Sequence, residues 1–125
     1  MIHLETHVLL WIVSGNDARI PPGVRRLLET APLMISPMIE LEITYLFEIG
    51  RVAEPAAVVL ARCRPVLDLV TSTASFISIV GAANALSWTQ DPFDRLIAGN
   101  ALADGCELLT ADVTMRTHMP SARWD

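Results

Sequence analysis

The chain has 125 residues, enough for one ordinary domain with a real core and too few for two, so residues 1–125 read as a single domain. The net charge is −5 and all nine basic residues are arginine, which argues against a broad basic face for nucleic acid yet leaves several bidentate phosphate ligands. No apolar run reaches the roughly 20 residues a bilayer needs, and "MIHLETH" carries an acid where a secretory signal wants positive charge; the expectation is a cytoplasmic protein with no membrane partner.

The first element is a short strand over 1–5, followed by helix-spaced apolar residues in "THVLLWIVSG" that Gly15 ends. "NDARIPP" is loop. Pro21 and Pro22 open a helix over "PGVRRLLETA", with Val24, Leu27 and Leu28 on one face, and Pro32 closes it. "LMIS" is apolar and too short for a helix, as a buried parallel strand would be. Ser36 then caps, with Pro37 at the first helical position, a helix whose inner face is Ile39, Ile43, Leu46 and Phe47 and which runs to Gly50. Another helix covers about 54–64.

"VLDLV" at 66–70 is the next strand, and "STASFISIVGAANALS" a helix capped by Ser72 or Thr73. Asp91 and Pro92 repeat the cap-then-proline start for a helix over about 92–104, stopped by Gly105. "CELLT" is a strand, "ADVTMRTH" a helical turn, and "ARWD" a last edge strand. Strand and helix alternate without repeats or long linkers, which predicts an α/β layer fold around a mainly parallel sheet. In such sheets ligands bind beyond the carboxyl ends of the strands.

The acids fall at that edge. Glu5 ends the first strand, Asp112 follows "ELLT", and Asp94 lies in the first turn of its helix. Glu42 shares a helix face with Ile39, Ile43 and Leu46, an unsuitable place for a purely solvated acid. Taken singly, Asp91 is a helix cap, Asp94 a dipole partner, Asp112 a cap and Thr110 a strand residue. As a set, converging carboxylates repel one another, and a hard divalent cation, Mg²⁺ or Mn²⁺, resolves that repulsion. Two such ions about 3.5–4 Å apart would suit phosphodiester chemistry.

Other chemistries fit less well. His3, His7 and His118 lack zinc spacing, Ser36 has no nucleophile-elbow context, and no glycine-rich phosphate loop occurs. Cys63 and Cys106 read as buried reduced thiols, and Trp11, Trp88 and Trp124 as core or interface. A hydrophobic fraction of 52% and mean hydropathy of +0.43 exceed what one small core can hide, predicting a lasting partner or self-association.

"LETHVLLW" at 4–11, "ISPMIELEITYLFEIGRV" at 35–52 and "DPFDRLIAGNALADGCELLTAD" at 91–112 resemble the PIN-domain ribonucleases, and among them the VapC-type toxins of bacterial toxin–antitoxin pairs. The resemblance runs along the whole chain, and its last segment is the most specific. It implies a three-layer α/β/α sandwich and a Mg²⁺- or Mn²⁺-dependent endoribonuclease acting on RNA. It further implies a homodimer neutralised by a cognate antitoxin that wraps the toxin. Carried over by position, the metal-binding acids are Glu5, Glu42, Asp94 and Asp112, with Thr110 as a secondary contact and Asp91 as an acidic neighbour.

Arg95 and Arg116 are expected at the rim as phosphate contacts. Where the family pattern reads "LDTHVLLW" this chain has Glu5, which keeps the charge and moves the carboxylate by roughly 1 Å, a displacement that can cost about 10²-fold in a catalytic site. Glu5 therefore favours, as the alternative, a catalytically impaired PIN-like module acting through antitoxin binding. A phosphatase or DNA nuclease built on the same acids is a third reading.

Overall fold

In the computed structural model, which describes residues 1–125, five short strands form one fully parallel sheet: Ile2–Leu4 (β1), Leu33–Ile35 (β2), Leu69–Thr71 (β3), Glu107–Leu109 (β4) and Ala122–Arg123 (β5). Their spatial order is β3-β2-β1-β4-β5, so the first strand of the chain is the central one. Its register sets Ile2 beside Leu33 on one side and beside Glu107 on the other. Parallel strands cannot be joined by tight hairpins, and the crossovers are helices. These are Thr6–Ser14 (α1), Pro22–Thr30 (α2), Pro37–Glu48 (α3), Ala56–Cys63 (α4), Phe76–Ala83 (α5), Pro92–Ala103 (α6) and Val113–His118 (α7). They flank the sheet as an α/β/α sandwich, the fold class the sequence predicts.

The alternation of each strand feeds both layers. Leu4, Leu33, Ile35, Leu108 and Leu109 are fully or almost fully buried and join Val8, Leu9, Ile39, Ile43 and Ile97 from the helices in one contiguous core. Each such side chain stabilises the fold by about 1.5–3 kcal/mol relative to exposure. The helix starts follow the sequence closely. Ser36 accepts from the Met38 N–H, Asp91 from those of Phe93 and Asp94, and Gly15 takes the left-handed conformation (φ 69°) that closes α1.

Several expectations need correction. The helix expected from Ser72 or Thr73 begins later, because Ser75 is the cap, accepting from the Ser78 N–H, and it ends at Ala83, short of Ser87. Ser72 is instead drawn inward by buried hydrogen bonds. Phe47, expected on the inner face of α3, is 41% exposed, since each i, i+4 step drifts and carries it roughly 80° round the helix from Ile39. Cys63 is buried as expected, whereas Cys106 is only partly covered. The strand expected at 66–70 occupies 69–71, because Val66 and Leu67 complete a turn on the Cys63 carbonyl.

A buried polar cluster ties β1 and the end of β3 to the carboxyl end of α6. Asp104 Oδ2 meets His3 Nε2 at 2.7 Å and accepts from Ser72 Oγ at 2.7 Å and from Asn100 Nδ2 at 3.0 Å. His3 and Asn100 are completely buried, and burial pushes the His3 imidazole below its ordinary pKa despite the carboxylate beside it. Replacing Asp104 by Ala leaves His3 Nε2 and the Ser72 hydroxyl without their acceptor, while Asn100 keeps its bond to Ser72. The expected cost is about 2–3 kcal/mol, read as a lower midpoint in urea with an unchanged slope.

Candidate active site

All five strands point the same way, so their carboxyl ends and the helices that follow meet along one edge. Glu5 directly follows β1 and caps α1, its Oε2 accepting from the His7 N–H at 3.2 Å. Asp112 follows β4 and caps α7, its Oδ1 accepting from the Met115 N–H at 2.9 Å. Thr110 is completely buried between them in sequence, and its hydroxyl accepts from the Asp112 N–H at 3.0 Å. Asp91 and Asp94 come from the start of α6, and Glu42 from the buried face of α3.

Electrostatics shows how closely these acids gather. Burial, then the charges of Asp91, Glu42, Glu5 and Asp112, pushes the Asp94 carboxyl up to about 7 from its ordinary 3.8. Glu42, only 7% exposed, is also pushed up, chiefly by burial, with Glu5 and Asp91 adding to the shift. The Thr6 hydroxyl donates to Glu42 Oε1 and works in the opposite sense. His7 is raised above its ordinary value by its bond to Glu5, with Glu42 and Asp94 also contributing.

The structure thus brings Glu5, Glu42, Asp91, Asp94 and Asp112 into one electrostatic neighbourhood from four separate stretches of chain. It does not draw them into a finished cage, since no three Asp, Glu, His or Cys side chains stand close enough to enclose one ion. The donor set still suits a hard divalent cation, because every donor is a carboxylate oxygen and the set is strained by its own repulsion. Arg95 is turned away from this edge: its Nε donates to the Ala83 carbonyl at 3.0 Å and Nη2 to that of Asn84 at 3.2 Å, closing α5. Arg116 sits on α7 behind Asp112, with Nη2 on the Ala111 carbonyl at 3.2 Å.

Thr6 and His7 are contacts that the pattern of acids does not reveal. Their only signal is position, as the two polar residues that directly follow Glu5 and precede the apolar run of α1. His7 also borders a cavity of about 510 Å³ that Trp11, Leu46, Arg51, Val59 and Arg62 help to line.

A family model described as PIN domain matches residues 2–117. The fold is similar to a chain in the crystal structure of VapBC2 from Rickettsia felis bound to a DNA fragment from its promoter, at 19% identity, TM-score 0.70 and full coverage of both chains. It is also similar to a chain of a toxin–antitoxin complex from Klebsiella pneumoniae, at 16% identity and TM-score 0.66 over 98% of this chain and 96% of that one. DNA-bound VapBC from Salmonella typhimurium gives 22% identity and TM-score 0.63, covering 98% and 96%. A search of curated protein sequences finds no significant match.

Because the Asp94 carboxyl is raised when folded, its contribution to stability is full below about pH 4 and is lost as pH rises through about 7. Glu42 and His7 act in the same sense, and the depressed His3 in the opposite one. Asp94→Asn removes a charge that burial and four neighbouring acids disfavour. The metal-free variant should melt at pH 8 above the parent by about 5 °C, and the difference should vanish near pH 4.

Proposed function

The chain belongs to the PIN-domain family, and from that premise we propose that it is a VapC-type toxin: a metal-dependent endoribonuclease held in check by a cognate antitoxin. The observation that carries the reading is Asp94, a carboxyl raised to about 7 first by burial and then by the charges of four other acids, a repulsion that a cation would offset. Glu5, Glu42, Asp94 and Asp112 would hold Mg²⁺ or Mn²⁺, with Asp91 adding negative charge at the rim. Bound there, the metal supplies Lewis acidity toward a phosphodiester and makes water a usable nucleophile near neutral pH.

The chain's own residues do the rest. Thr6 fixes one oxygen of Glu42, and Thr110 fixes the backbone of Asp112, so that two of the four acids are aimed by neighbouring hydroxyls. Arg116 is the better placed of the two expected phosphate contacts, because Arg95 already serves α5. RNA as the substrate, and hence a cytoplasmic site of action, belong to this proposal; no helix is long and apolar enough to cross a membrane.

The antitoxin reading draws support from the cavity beside His7, which offers apolar walls and two arginines, Arg51 and Arg62. Self-association is supported by Phe76 and Ile77, 66% and 85% exposed at the start of α5. A homodimer should sediment as such at micromolar concentration without any antitoxin, and a monomer there would remove it from the proposal.

Incubation of purified protein with structured RNA, DNA and a small phosphate ester, with Mn²⁺ or with chelator, tests the activity. Cleavage of RNA that needs metal and disappears in Asp94→Asn is expected. Glu5→Asp should raise that cleavage by up to about 10²-fold by restoring the shorter reach. If the folded Glu5→Asp protein leaves RNA intact, the impaired binding module becomes the better account.

A further inference from the structure

Glu5 is gripped at both oxygens by one residue. Its Oε1 meets His7 Nδ1 at 3.0 Å, and its Oε2 accepts from the His7 backbone N–H at 3.2 Å. A carboxylate carries about four lone-pair sites, so this clasp leaves each oxygen able to accept once more. The imidazole itself costs little to hold, being 55% exposed and packed against Trp11 with ring centroids 6.2 Å apart. Glutamate has one more rotatable bond than aspartate and would otherwise sweep a wider arc at the end of β1. The adjacent Thr6 does for Glu42 what His7 does for Glu5, so the first turn of α1 aims two carboxylates that come from elements far apart in sequence.

We propose that His7 is a positioning residue that locks the Glu5 carboxylate toward the acid cluster and so sets the affinity of the site for a divalent cation. The inference rests on the metal-centre reading above. His7 acts through its bond to Glu5, and the lock is its Nδ1–H. An asparagine at this position carries an amide N–H close to where Nδ1 stands, whereas alanine carries none. The backbone half of the clasp survives in every variant, so a comparison isolates the ring.

The test is a Mn²⁺ titration followed by the rise in melting temperature, for the parent chain, His7→Ala and His7→Asn, each first melted without metal to establish that it folds. The expected result is that His7→Ala weakens the apparent Mn²⁺ affinity by about 10-fold and His7→Asn restores most of it. Equal Mn²⁺ affinity in His7→Ala and the parent overturns the role of His7 and leaves the metal centre standing. Failure of Asn to rescue an alanine defect overturns it as well. A parent chain that Mn²⁺ does not stabilise at all defeats the metal-centre reading, and this inference with it.

Discussion

Parallel pairing of every strand is the constraint on which the rest of the molecule depends. It forces each carboxyl end, and each helix start that follows, to one edge, so Glu5, Ser36, Thr110 and Asp112 arrive together although the first and last of them lie more than a hundred residues apart. The same edge collects the positive ends of α1 and α7, whose first N–H groups are bonded by Glu5 and Asp112. Those dipoles offset part of the repulsion among the acids. Gathering and helix capping are one arrangement for three of the acids: Glu5, Asp91 and Asp112 are also the caps that begin helices.

The opposite requirement is rigidity on the far side of α6. Asp94 near the start of that helix is mutually repelled, while Asp104 at its end is hydrogen-bonded to three partners from β1, the end of β3 and α6 itself. Between them, Gly99 packs so closely on α5 that an added Cβ would lie 2.9 Å from both the Ala83 Cβ and the Ile79 carbonyl. The helix is pinned at its end and along its length. Only its first turn bears the electrostatic tension, and packing elsewhere holds that turn in place.

Much of this was legible in the sequence where local chemistry speaks loudly. Ser36-Pro37 and Asp91-Pro92 mark helix starts because a side-chain acceptor and a pre-set φ act within three residues. Glu42 declared itself by sharing a face with Ile39 and Ile43. What could not be read depends on partners distant in the chain. Ser72 looks as good a cap as Ser75 until Asp104 and Asn100 claim its hydroxyl, and nothing near His3 in sequence announces Asp104. The role of Thr6 is invisible without Glu42, and the diversion of Arg95 without the end of α5. The acids form a pattern that the sequence displays, whereas the hydroxyls that bond to Glu42 and to the Asp112 backbone are contacts that only the fold makes.

The central position of β1 bears on how the chain folds. Its partners β2 and β4 begin about thirty and about a hundred residues later, and the β1–β4 seam closes one of the longest loops this chain can form. Such non-local pairing slows folding, since loop-closure entropy must be met before the contacts that reward it exist. During synthesis the first strand lacks its β4 neighbour until residues 107–109 are made. Glu5 and Asp112 come together only when that seam closes, so a ribosome-bound fragment of this chain cannot present the assembled acid centre.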